Sequence, residues 1–357
     1  MVIPSLGDIA RYFLLLGATV FGGPLALVAH IEQELVERRR WLTMAECKEG
    51  LAMATALPGP IAYQLGIYAA WLRQGWRGGC IAAVAFAVPP FLLCLLGAIL
   101  YKEYQASWIV QGLFYGMSPV VIALIVKAGY KMGKATFTDP FSWAVGIAAA
   151  VLVSWYRIDP TLVFVAAGLA GIGKTYALAP SRPRALSFEL GLFFFKAACV
   201  LFGSGLVIIP FLQRYVVDQY HWMDARTFVD GVAIGMMTPG PVVITATFVG
   251  YIVDGIAGAG AATLGMFAPS VLFVFLGAPL MRRWGRLPAV HGAVGGIAAA
   301  VVGVIMGASI GVAKTALPDL LACGIAGGSL LATLRTKVPD LVLICAAGAI
   351  GLLTARV

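Results

Sequence analysis

Two tripeptides carry the chemistry open to this sequence. Pro58-Gly59-Pro60 lies between the moderately apolar stretches 49–57 and 61–73, and Pro239-Gly240-Pro241 lies between 230–238 and 242–253. Proline has no N–H and stops an incoming helix, whereas Pro60 and Pro241 suit the first position of an outgoing one. Each outgoing helix then offers free backbone N–H groups and the positive end of its dipole, which is an anion-binding arrangement. Each stretch is about 9–13 residues long, enough to cover about half of a ~30 Å hydrocarbon core at ~1.5 Å per residue. The pattern predicts a re-entrant hairpin with its tip near mid-membrane, where irregular backbone is tolerated only if protein buries it or it lines a cavity. The alternative, in which the glycines and prolines only kink packed helices, is weakened by the recurrence of the motif at the same offset in both halves.

Polar side chains near the tips are Thr55, Tyr63 and Gln64 in one half and Thr238, Thr245 and Thr247 in the other. Such neutral donors suit the oxygens of a desolvated oxyanion. Gly22-Gly23-Pro24 and Gly203-Ser204-Gly205 are further helix breaks, placed ahead of each tip. Lys196 sits in an apolar run and reads either as a site residue or as a side chain snorkelling to the inner interface. Glu49 and Asp230 are matched acids opening the incoming stretches. They are proton-coupling candidates, or simply good partners for a helix dipole.

The elements that position these residues follow from composition and repeats. Of 357 residues 61% are hydrophobic and only 11% charged, less than half the charge density of a soluble domain. A soluble enzyme and a disordered chain are both excluded, and long apolar runs point to an all-α polytopic membrane protein. A shift of 181 aligns 21–60 with 202–241 at ten identical positions, among them Trp41/Trp222, Gly50/Gly231 and both tripeptides. The chain therefore reads as two repeats, 1–178 and 187–357, joined by a polar, proline-rich linker at 179–186. Each repeat is expected to hold about five transmembrane helices plus the hairpin, beginning with single helices over 8–30 and 187–212.

Charge sets the relative orientation. Arg73 and Arg77 have no basic counterpart in 253–259, whereas Lys102 faces Arg282, Arg283 and Arg286, and Lys127, Lys131 and Lys134 face Lys314 alone. The bias flips at each matched loop, so the positive-inside rule predicts inverted-topology repeats. On this map 17 of the 25 basic residues are inner, including Arg38, Arg39 and Arg40, and both termini are outside. The net charge of +9 is then a topology signal and not a nucleic-acid footprint. Inverted repeats with interrupted helices are the plan of secondary transporters, with substrate bound where the halves meet.

No nucleophile elbow, phosphate loop or close carboxylate pair occurs, so no enzyme activity is expected. The six cysteines are scattered singly, which argues against a metal site or disulfide framework, and no cofactor is called for.

Phe21-Gly22-Gly23-Pro24, the stretch ending at Trp41, then Leu57-Pro58-Gly59-Pro60, with echoes at Phe202-Gly203, Trp222 and Thr238-Pro239-Gly240-Pro241, resemble the chromate ion transporter (CHR) family. Both halves match, as in its long, two-domain members, although Gly203-Ser204-Gly205 replaces a second Gly-Gly-Pro. The resemblance implies export of chromate across the inner membrane, driven by the membrane potential or proton gradient, with sulfate as a similar oxyanion. Combined with the motifs, it suggests a tetrahedral dianion between paired half-helix N-termini, with alternating access around it. Sulfate uptake and an anion channel are the competing readings. Membrane lipid is the other expected partner, and a homodimer is one assembly such a chain could form.

Overall fold

The computed structural model describes residues 2–21, 23–137, 140–154, 186–199, 208–284, 288–336 and 338–354. All regular structure among them is helical. Helices α1 (Leu6–Thr19) and α2 (Gly23–Glu32) lead through a π-helical segment, Gln33–Arg38, to α3 (Met44–Ala56). Helix α4 (Ile61–Tyr104) follows the first Pro-Gly-Pro, and α5 (Trp108–Thr136) and α6 (Pro140–Ser154) complete the described first half. The second half runs α7 (Leu186–Cys199), α8 (Ile208–Gln213), a π-helical segment Arg214–Gln219, and α9 (Ala225–Met237). After the second Pro-Gly-Pro come a 3₁₀ turn, Val242–Ile244, then α10 (Thr245–Trp284), α11 (Pro288–Ala316), α12 (Leu320–Arg335) and α13 (Asp340–Thr354).

The helix starts are written locally. Ser5 with Asp8, and Thr43 with Glu46, form capping boxes, and Asp224 accepts from the Arg226 and Thr227 amides at the head of α9. Among the described residues four helices are long and apolar enough to cross a membrane: Ile61–Tyr104, Trp108–Lys134, Val242–Pro279 and Ala299–Ala316. Leu92, Leu96 and Leu264 stand exposed on them, as a lipid-facing surface requires.

One expectation is corrected. Residues 8–30 are not one spanning helix, because the chain breaks after Thr19 and turns back. A straight helix would separate residues 8 and 30 by about 33 Å. Instead the Val2 amide donates to the Arg40 carbonyl at 3.1 Å, and the Gln74 side chain donates to the Pro4 carbonyl at 2.7 Å. The Tyr12 and Trp41 rings lie 5.6 Å apart, with the Arg39 guanidinium over both. The N-terminus therefore shares a face with Arg38, Arg39 and Arg40, and the placement of these on opposite faces is overturned. Helices α1 and α2 are thus the two arms of a hairpin, not one helix with a kink. In the second half Phe193 of α7 reaches Tyr215 and Trp222 at 5.7 and 5.4 Å, so that chain doubles back in the same way.

Backbone irregularities recur in pairs. The π-helical segments sit 181 residues apart, as do the left-handed residues Arg40 (φ 55°) and His221 (φ 50°). Gly59 and Gly240 both have positive φ, at 133° and 99°. Beyond the tips, α4 kinks at Gln74-Gly75 and α10 at Asp254-Gly255, with nearly the same angles. Arg73 at the end of the first arm of α4 binds the Glu46 carboxylate and the Trp41 carbonyl, which closes the base of the α3/α4 hairpin. The hairpin arms are thus α3 with 61–73 and α9 with 242–253, and the long helical segments 76–104 and 256–284 follow the kinks.

Candidate functional site

The two tips lie deep in the protein and each meets the long helix of the opposite half. At the first, Gly59 is buried, and a Cβ added there would lie 2.5 Å from Ser270 Oγ of α10. At the second, a Cβ on Gly240 would lie 3.1 Å from the ring of Pro90 in α4. Ser270 and Pro90 are equivalent positions, so the contact is reciprocal but chemically unequal. Leu57 packs where Gly277 has no side chain, and Ile234 packs on Gly97, the glycine at the matching position of α4.

Backbone donors are present at both tips. Gln64 N–H closes the first helical turn on the Pro60 carbonyl at 3.0 Å, so the amides of Ile61, Ala62 and Tyr63 precede the first intrahelical bond. At the other tip Ile244 N–H reaches the Pro241 carbonyl at 3.0 Å, leaving Val242 and Val243 in that position. The Gly240 amide is already used, donating to the Val20 carbonyl at 3.1 Å.

The side chains divide sharply. Thr238, Thr245 and Thr55 each direct their one hydroxyl donor to a carbonyl of their own helix, those of Ile234, Val242 and Leu51. Thr247 pairs with Thr263 at 2.7 Å, and the Tyr63 hydroxyl donates to the Ala83 carbonyl at 3.0 Å. Gln64 and Ser270 are both 0% exposed and behave otherwise. The Gln64 amide nitrogen donates to the Pro58 carbonyl, while its Oε1 and the Ser270 hydroxyl have no partner. Ser270 gives no signal in the sequence, being one small polar residue in an apolar run whose repeat mate is a proline. Only its contact with Gly59 marks it.

The matched acids part company. Asp230, 5% exposed, accepts from the Tyr101 hydroxyl at 2.8 Å and from Ser118 at 3.4 Å, both on first-half helices. It borders a polar cavity of about 230 Å³ lined by Tyr101, Gln105, Gln111, Asp224 and Arg226. Glu49 is exposed. Lys196 is exposed too, on α7, and the structure does not bring it to either tip. Gly23 and Pro24 open α2, whereas Gly22, Gly203, Ser204 and Gly205 lie outside the described residues. No group of three or more metal-ligating side chains occurs among the described residues. A separate cavity of about 740 Å³, between α4 and α10 and bordered by Tyr63, Phe91, Leu264 and Phe275, is almost wholly apolar and cannot hold an oxyanion.

A profile of the chromate transporter family matches residues 7–172 and again 188–352. The chain belongs to the chromate transporter family. As a member of this transporter family with several apolar helices, it is a multi-pass membrane protein. It is 38% identical over 339 residues to the chromate transport protein of Cupriavidus metallidurans, covering 88% of this chain and 84% of that one. It is 34% identical over 343 residues to the probable chromate transport protein of Synechococcus elongatus, covering 88% and 86%. No solved structure matches the chain. Both Pro-Gly-Pro tips, with the buried groups around them, fall inside the stretches matched by the chromate transporter profile.

Proposed function

We propose that this protein is a secondary transporter exporting chromate across the cytoplasmic membrane by alternating access, with the anion held between the two Pro-Gly-Pro tips. The observation that carries this reading is the first tip. There the Gln64 and Ser270 side chains, each with a buried polar atom that has no partner, pack on Gly59 beside the first turn of α4. A desolvated oxyanion needs such preorganised donors, because water is absent to replace its lost hydration. The names of the relatives supply the substrate.

The two halves are read as inverted repeats, 1–178 and 187–357, around the linker. Supporting this, Asp230 near the base of the second hairpin sits beside Tyr101, close to the end of α4 remote from the Gln74 kink. Lys102 likewise lies 5.5 Å from the Tyr251 ring, near the second kink. Tips that enter from opposite faces would let each outgoing dipole point to the centre.

Flux of radiolabelled chromate and sulfate in proteoliposomes, with pH gradient and voltage imposed separately, tests the reading. Saturable chromate flux driven by one of these gradients is expected, with a direction set by its sign. Pro58→Ala and Pro239→Ala should abolish flux while the protein still inserts, and undiminished flux in both would sink the proposal.

A further inference from the structure

The orientation of the Gln64 amide is fixed by chemistry. The Pro58 carbonyl can only accept, so the nitrogen of Gln64 must face it, and Oε1 is left pointing elsewhere. Oε1 is an acceptor with no donor, on a fully buried side chain whose amide packs on Gly59. Ser270 Oγ, packed against the same face of that glycine, is a hydroxyl with no partner. Groups of this kind are costly to bury empty, and a bare anion satisfies only one of them: it accepts from Ser270 and offers nothing to Oε1.

We propose that the first tip binds a tetrahedral oxyanion in its monoprotonated form. Gln64 Oε1 accepts the O–H of the ligand, and the Ser270 hydroxyl with the amides of Ile61, Ala62 and Tyr63 donates to its remaining oxygens. This rests on the transport reading above and sharpens it into a selectivity rule. Chromate takes up a proton near neutral pH and can present that O–H. Sulfate holds no proton anywhere near neutral pH and would set a bare oxygen against a buried carbonyl oxygen. A site that hydrogen-bonds a ligand O–H rejects the analogue lacking it far more strongly than a merely apolar site does. The second tip has no such acceptor, since Thr245 replaces Gln64 and Pro90 replaces Ser270. Discrimination therefore belongs to one tip although the backbone motif is at both.

The ionisable groups on the surrounding elements do not supply the proton. Tyr63 is engaged with the Ala83 carbonyl, and the Cys94 thiol contacts the Ile244 carbonyl. Glu46, Lys48 and Glu49 sit in the first two turns of α3, far from the tip. Asp8, Arg11 and Tyr12 lie towards the base of α1, and Arg73 and Arg77 flank the kink of α4. Tyr101 and Lys102 are at the other end of α4, and α10 carries no ionisable residue between Asp254 and Arg282.

The test uses the full-length protein in proteoliposomes at zero voltage, with equal pH inside and out. The apparent KM for total chromate should rise with pH, approaching about tenfold per pH unit once the pH is well above the ionisation of the ligand. Sulfate should compete at least about 100-fold more weakly than unlabelled chromate. Gln64→Met should flatten the pH dependence and admit sulfate, and Ser270→Ala should raise KM while keeping the slope. A pH-independent wild-type KM, equal competition by sulfate, or an unchanged slope in Gln64→Met overturns the inference while leaving transport intact. Absence of saturable chromate flux in the wild type overturns the transport reading instead. The two wild-type measurements decide the matter even if a variant fails to fold.

Discussion

The amide of Gly240 donates to the carbonyl of Val20, 3.1 Å away, and so ties the hairpin tip of one half to the break in the first hairpin of the other. No side chain intervenes between the two backbones. Any motion that opens the centre to alternate faces must either carry these two residues together or exchange this bond for another. At the opposite tip Gly59 packs against Ser270, where Gly240 packs against Pro90. The two tips thus share one backbone plan but meet different side chains.

Gly59→Ala and Gly240→Ala should both impair transport, and Gly59→Ala the more severely. Both positions have φ values that L-residues rarely adopt, at a cost of about 1–2 kcal/mol. At Gly59 the added methyl would also overlap the Gln64 and Ser270 side chains, whereas at Gly240 it meets Pro90 at 3.1 Å. Chromate flux per inserted molecule measures this, and equal residual flux in the two variants would contradict the ranking.

Gly75→Ala and Gly255→Ala isolate backbone strain from packing. Their φ values are 59° and 58°, and an added Cβ meets nothing within 4 Å at either. Each substitution should lower stability by about 1–3 kcal/mol, because φ near +60° with ψ near −150° is a conformation that only glycine adopts readily. Matched shifts in thermal unfolding of the detergent-solubilised protein are expected, since the two kinks share one geometry.

The base of the first tip hairpin should be acid-sensitive. Burial raises the Glu46 carboxyl, but the Arg73 guanidinium and the Thr43 amide and hydroxyl more than offset it, leaving the group below the usual carboxylate range. A depressed folded-state value gives stabilisation that is present above the ordinary range and lost as pH falls through that lower value. Thermal stability should therefore decline below about pH 4. Glu46→Gln, which costs about 1–3 kcal/mol at neutral pH, should remove part of that decline. An acid limb identical to the wild type would exclude Glu46 from it.

Asp230→Asn should alter the dependence of flux on an imposed pH gradient, and Glu49→Gln should not. Only Asp230 is buried between the halves, held by Tyr101 and Ser118. Tyr101→Phe should act in the same direction as Asp230→Asn, because it removes the 2.8 Å donor without touching the carboxyl. A pH-gradient response lost in Glu49→Gln and kept in Asp230→Asn would reverse the assignment.

Lys196→Ala should leave the KM for chromate unchanged. The side chain is exposed on α7, where it can reach an interface with its amine while its stem covers apolar surface. A severalfold rise in KM, with normal insertion, would return the lysine to the site.

Much of this was legible in the residues themselves. The tripeptides, the pairing of the halves and the class of protein all follow from local rules: proline cannot donate, glycine alone accepts positive φ freely, and a chain so poor in charge must lie in lipid. The 181-residue repeat foretold which irregularities come in pairs. The fold of 8–30 was not legible, because an apolar run long enough to span the membrane reads the same whether it crosses or turns back at Gly-Gly-Pro. What reverses it is a set of contacts distant in sequence, Val2 with Arg40 and Pro4 with Gln74. Likewise, the sequence offered Thr238, Thr245 and Gln64 as equals. Helical geometry turns the threonine hydroxyls back onto their own carbonyls and leaves Gln64 and Ser270 unpartnered. Residue type and spacing thus determine where helices stop and which amides are freed, since both depend on neighbours along the chain. Which polar atoms remain free inside the protein depends on what packs across from them, and that only the tertiary structure decides.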